Sequence, residues 1–161
     1  EILPDQQIGY TVVRNCTIRD AGVCGIAGIY AVHVLVEGCE IVGTGWQHME
    51  LSWEAAGIKL HDTVNSLFRN NVIRHTYWAD HLWLDCNNVN TRITGNVFMD
   101  GINQREAIFI EATSTADSML LWGNTALTGE DATLIGTTVY DVLTGEITPE
   151  QWCEDMETIF E

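Results

Sequence analysis

The chain has 161 residues, 46% of them hydrophobic, enough for one domain with a real core and too few for two. Its 7 Lys+Arg against 23 Asp+Glu give a net charge of -16, which argues against nucleic acid and anionic membrane surfaces as partners and leaves a polyanionic glycan dependent on a cation or a basic cleft. No run approaches the roughly 20 apolar residues of a membrane span, so no membrane insertion is expected, and the five cysteines form no C-x-x-C pair that would mark a zinc site.

The N-terminal stretch "EILPDQQIGY" has neither the basic start nor the apolar core of a signal peptide. A repeat begins directly after it. "VVRNCTI" (Val12 to Ile18) is followed by "LVEGCEI" (Leu35 to Ile41), "LFRNNVI" (Leu67 to Ile73), "RITGNVF" (Arg92 to Phe98) and "LLWGNTA" (Leu120 to Ala126). The copies recur at intervals of 23, 32, 25 and 28 residues, which suits solenoid coils with variable loops better than a helical repeat of fixed length. Val13, Val36, Phe68, Ile93 and Leu121 form one apolar column, and Ile18, Ile41, Ile73, Phe98 and Ala126 form another. Between them Asn15, Gly38, Asn70, Gly95 and Gly123 hold one position, restricted to the residues that best tolerate positive φ, as a sharp bend requires. The next column stacks Cys16 and Cys39 with Asn71, Asn96 and Asn124, whose amides can bond from coil to coil.

A second alternating strand precedes each later bend: "GIYAV" (Gly28 to Val32), "GIKLH" (Gly57 to His61), "HLWLD" (His81 to Asp85) and "AIFIE" (Ala107 to Glu111). Aligned on their apolar positions, they direct Ile29/Ala31, Ile58/Leu60, Leu82/Leu84 and Ile108/Ile110 inward. Tyr30, Lys59, Trp83 and Phe109 then form an outward column beside Val32, His61, Asp85 and Glu111. Such strands, joined by bends of asparagine and glycine, predict an all-β parallel β-helix over residues 1–135. The chain enters its first coil so early that it is expected to be part of a longer protein. Residues 136–161, in the same domain, leave the repeat and predict a C-terminal capping helix. Thr148 is its N-cap, Pro149 its first residue and Gln151 the partner in a capping box, with Trp152, Met156, Ile159 and Phe160 covering the open coil.

Asp85 and Glu111 are thus one position in successive coils. Adjacent parallel strands lie about 4.8 Å apart, close to the roughly 5 to 5.5 Å between the carboxyl groups of retaining glycosidases. Stacked acids repel unless a cation lies between them or one stays protonated, and a retaining mechanism requires such an asymmetry. Solvated surface acids, or calcium ligands in company with Asp62 or Asp80, are the other readings of the pair. Trp83 and Trp78 lie near Asp85 in the chain, and the loop "GTGWQHMELSWEAAG" brings Trp46, His48, Trp53 and Glu54. Trp46, Trp53, Trp78 and Trp83 could wall a groove and stack on pyranose faces, with Lys59 and His61 in the neighbouring coil.

The stretches "GIKLHDTVNSLFRNNVIRH", "LWLDCNNVNTRITGN" and "IFIEA" resemble the central coils of the right-handed parallel β-helix glycoside hydrolases of the β-xylosidase type. The resemblance covers roughly residues 57 to 127 and implies a right-handed coil. It also implies Asp85 as nucleophile, Glu111 as acid/base, a neutral xyloside-like carbohydrate substrate and no cofactor or metal. Two alternatives stay open, since one fold serves many chemistries. One is a polysaccharide lyase or epimerase with calcium, using Lys59 or His61 as base and Arg92 or Arg105 as neutraliser. The other is a carbohydrate-binding β-helix without chemistry.

Overall fold

In the computed structural model of the chain, residues 8–48, 54–103, 106–111 and 119–127 are described. Their strands form parallel sheets in which each strand pairs with its equivalent one coil later. The first sheet holds Val12–Arg14, Leu35–Glu37, Leu67–Arg69, Thr91–Thr94 and Met119–Trp122. The second holds Thr17–Arg19, Glu40–Val42, Val72–Arg74, Val97–Met99 and Thr125–Leu127. Cys24–Ile29, Ala56–His61, Asp80–Asp85 and Ile108–Glu111 make the third. A short pair, Ile8–Gly9 with Ala31–Val32, completes this parallel β-helix.

The backbone register of the first two sheets follows the sequence columns. Val13, Val36, Phe68, Ile93 and Leu121 are successive partners, as are Ile18, Ile41, Ile73, Phe98 and Ala126. Val36, Ile41, Ile58, Phe68, Ile73, Leu82, Leu84, Ile93 and Phe98 pack in the buried core. The bend between the sheets has φ of 53° at Asn15, 61° at Gly38, 55° at Asn70, 63° at Gly95 and 60° at Gly123. Behind it runs the asparagine ladder. Asn71 Nδ2 donates to Asn96 Oδ1 at 2.9 Å, Asn96 Nδ2 donates to Asn124 Oδ1 at 2.9 Å, and Asn71 Oδ1 accepts the Cys39 amide at 2.9 Å.

One strand of the third sheet sits differently from the sequence alignment. Its partner for Ala56–His61 is Cys24–Ile29, with Ile26 beside Ile58, Ala27 beside Lys59 and Ile29 beside His61. The segment carries two overlapping alternations, and backbone clearance selects between them. A Cβ on Gly25 would meet Gly57 O and Ile41 Cγ2 at 2.7 Å, and one on Gly57 would meet His81 O and Ile73 Cγ2 at 2.5 Å. The pairing seats these two glycines in one crowded column. Ile29 consequently lies 53% exposed rather than in the core, and Tyr30 forms a bend at φ 59°.

The interior is not wholly apolar. His81, fully buried, takes a 2.7 Å hydrogen bond with Thr76 Oγ1 through Nδ1 and stacks on Phe98 at 6.0 Å. Burial pulls its imidazole down to about 3, with a smaller push from His75, so the ring is neutral. The expected capping helix, from Thr148 through Trp152, Met156, Ile159 and Phe160, lies outside the described residues, as does all of 136–161.

Candidate active site at the end of the third sheet

Because its strands run parallel, the third sheet gathers their C-terminal ends on one rim. His61, Asp85 and Glu111 are successive register partners there, one residue beyond the inward Leu60, Leu84 and Ile110. Lys59, Trp83 and Phe109 form the outward column two residues earlier. The backbone thereby sets Asp85 and Glu111 about 4.8 Å apart, one strand spacing.

Side chains link the two columns. Lys59 Nζ lies 3.1 Å from Asp85 Oδ2 and 2.9 Å from Glu54 Oε2, and sits over the Trp83 ring, 3.3 Å from its centroid. His61 Nε2 lies 3.5 Å from Asp85 Oδ2 and 3.2 Å from Glu54 Oε2. The other oxygen of Asp85, Oδ1, accepts from Cys86 Sγ at 3.0 Å, and Trp83 Nε1 donates to Glu111 Oε2 at 3.1 Å. Trp83 also packs at a tilt on Phe109, with centroids 5.4 Å apart.

These contacts favour the charged form of Asp85. Burial pushes the Asp85 carboxyl up, but the Cys86 hydrogen bond, the Lys59 ammonium and His61 together outweigh it and hold Asp85 below the usual carboxylate range. Glu54 is likewise held low, burial being outweighed by Lys59 and His61. The Cys86 thiol moves the other way. Its hydrogen bond to Asp85, burial and the surrounding carboxylates push it up to about 11.

The residues expected from sequence divide into two places. Lys59, His61, Asp85, Trp83 and Glu111 come together. Trp83, expected as an open stacking face, is only 2% exposed, because Lys59 and Phe109 cover it; its reach to the acids is through its N–H. Trp46 and Trp78 are not at this rim. They precede the third-sheet strands, and Asp80 to Asp85 alone spans roughly 16 Å. Trp53 lies outside the described residues. Asp80, considered above as an oxygen ligand, is fully buried at the far end of its strand, where its Oδ1 accepts the Glu106 amide at 2.7 Å. Asp62 Oδ1 is bonded to Asn87 Nδ2 at 3.0 Å.

Two participants were hidden from sequence columns. Glu54 belongs to no repeat position, and only its place directly before the Ala56–His61 strand hinted that it could fold back on Lys59. Cys86 belongs to no motif in the sequence, yet with φ of 40° at the strand end its Sγ meets the neighbouring carboxylate. The closest His, Asp and Cys donor atoms, on His61, Asp85 and Cys86, lie within 4.8 Å of one another, a softer set than calcium favours.

No curated protein and no solved structure matches the chain. Over residues 5–139 it matches the family described as right handed beta helix region, and so belongs to that family, whose fold is found in glycoside hydrolases, lyases and binding proteins.

Proposed function

We propose that the protein is a retaining glycoside hydrolase acting on a neutral, xyloside-like carbohydrate, with Asp85 as nucleophile and Glu111 as acid/base. The observation that carries this is the pairing of Asp85 with Glu111 on adjacent parallel strands, a spacing close to that of retaining carboxylate pairs. Asp85 Oδ1, which accepts from the Cys86 thiol, attacks the anomeric carbon while Lys59 and His61 stabilise Oδ2. The glycosidic C–O bond breaks as Glu111, oriented by the Trp83 N–H, delivers its proton to the departing oxygen. In the second step the Glu111 carboxylate takes a proton from water, the water oxygen bonds to the anomeric carbon, and Asp85 leaves.

Lys59 supports this reading over a lyase or epimerase. Its Nζ is engaged by two carboxylates, Glu54 at 2.9 Å and Asp85 at 3.1 Å, and lies over the Trp83 ring in a side chain only 2% exposed, a place that fits an ion-pair partner of Asp85 better than a base open to substrate. The test is azide rescue on activated aryl glycosides. Asp85→Ala should lose turnover by at least about 10³-fold and regain part of it with azide, releasing an inverted glycosyl azide. Glu111→Ala should keep slow cleavage of substrates with good leaving groups, and azide should there give the retained product. Full activity in either variant ends the assignment.

A further inference from the structure

We infer that Trp46 and Trp78 form a second carbohydrate-binding surface, on the edge of the solenoid opposite the carboxylates, that takes neutral glycan chains. Both indoles are open, Trp46 at 49% and Trp78 at 39% exposure. They stand on consecutive coils, since the Tyr77 amide donates to Thr44 O at 2.9 Å and the Thr44 and Thr76 hydroxyls meet at 3.4 Å. Neither ring is loose. Trp46 Nε1 donates to Asp20 O at 2.8 Å, and the His48 ring lies against Trp78 at 5.5 Å. Aromatic faces fixed in advance lose little conformational freedom on binding, which suits shallow stacking on pyranose rings.

The backbone supplies an independent reason to assign Trp78 a surface role. It has φ 54°, the left-handed region that disfavours a bulky side chain. The residue beside it in the following coil, Asn103, lies in the same region at 52°. A tryptophan in this setting carries a backbone cost that asparagine avoids, and Trp78 is not among the residues of the buried core.

Charge selects the ligand class. Arg19, next to the Asp20 that accepts from Trp46, and Arg74, four residues before Trp78, are already held, Arg19 by Glu40 at 2.6 Å and Arg74 by Glu40 at 2.8 Å. With Asp20 and Asp100 alongside and a net charge of -16, an acidic polysaccharide would meet repulsion, whereas a neutral one needs only ring faces and hydroxyl partners.

The experiment is affinity electrophoresis of the full chain in gels containing arabinoxylan, galactomannan, mixed-linkage β-glucan or polygalacturonate. At least one neutral glycan should retard the protein. Trp46→Ala and Trp78→Ala should each weaken that retardation at least fivefold, while turnover of a small aryl glycoside changes less than twofold. Trp78→Asn separates binding from folding: it should lose the retardation and yet melt at the same temperature or higher, because asparagine accepts the left-handed bend. Retardation by polygalacturonate alone, retardation unchanged in the double alanine variant, or a tryptophan-dependent dimer in sedimentation would overturn the inference. Because the readout is binding, loss of the hydrolase assignment through azide rescue leaves this result standing, and the reverse also holds.

Discussion

Lys59→Met tests whether the single lysine holds the site together. Methionine keeps a long apolar stem beneath Trp83 and removes the cation. At an effective dielectric near 20, a unit charge pair 3.1 Å apart attracts by roughly 5 kcal/mol, part of which offsets the desolvation of a side chain only 2% exposed. Glu54 contributes little to the balance, since it is 63% exposed and screened. Removing one partner of a fully buried pair costs about 3–5 kcal/mol. Asp85 keeps some solvent, the Cys86 hydrogen bond and His61, so a loss of about 2–3 kcal/mol at pH 7 is expected. The pH dependence has a definite sign. A carboxyl held below its ordinary value in the folded state stabilises the fold above the unfolded value near 4, and that contribution is lost as pH falls through the folded value. The gap between wild type and variant should therefore be full at pH 7 and narrow steadily below about pH 4. Urea unfolding followed by tryptophan fluorescence at several pH values measures it, and in turnover the acid limb of the variant's profile should move to higher pH. A gap that is constant, or that widens in acid, would refute the reasoning.

Asn71→Leu should cost about 2–5 kcal/mol in the same urea assay, because it strips partners from the Cys39 amide and the Val36 carbonyl at a buried position; a loss below about 1 kcal/mol would show that the ladder is not structural. Cys86 should react slowly with iodoacetamide at pH 8, its thiol being raised to about 11, and Asp85→Asn should accelerate alkylation roughly tenfold. Equal rates in the two proteins would remove the thiol from the account of Asp85.

The repeat made most of the coil legible because three physical constraints fall on the same positions of each copy. The bend needs positive φ, the ladder needs an amide, and the flanking strands need alternating apolar residues, so Asn70, Asn71 and Ile73 announce themselves together. The Asp85 and Glu111 register followed from the same columns. Alternation alone failed at residues 24–32, where the deciding term was clearance around Gly25 and Gly57, a property of neighbouring coils that no local pattern carries. The tryptophans misled for a related reason. Trp78 is seven residues from Asp85 in the chain, but an extended strand turns that short separation into opposite edges of a sheet.

Charge placement elsewhere in the coil sharpens the meaning of the acid pair. On the first sheet Arg14, Glu37 and Arg69 are register partners in successive coils, with Glu37 bonded to Arg14 at 2.7 Å and to Arg69 at 2.6 Å. Signs alternate along that column, as cross-strand pairing favours. On the third sheet the column His61, Asp85, Glu111 breaks the alternation by setting two acids side by side. The chain's lone lysine, at a buried position two residues before His61 in the neighbouring coil, lies 3.1 Å from Asp85. A purely structural ladder gains nothing from setting two acids side by side, since like charges directly opposite are destabilising. The double displacement proposed above uses two carboxyl groups at about this separation. Departures from local consistency concentrate where function opposes stability, and among the described acids this is the pair where the sheet's own charge rule is broken in register.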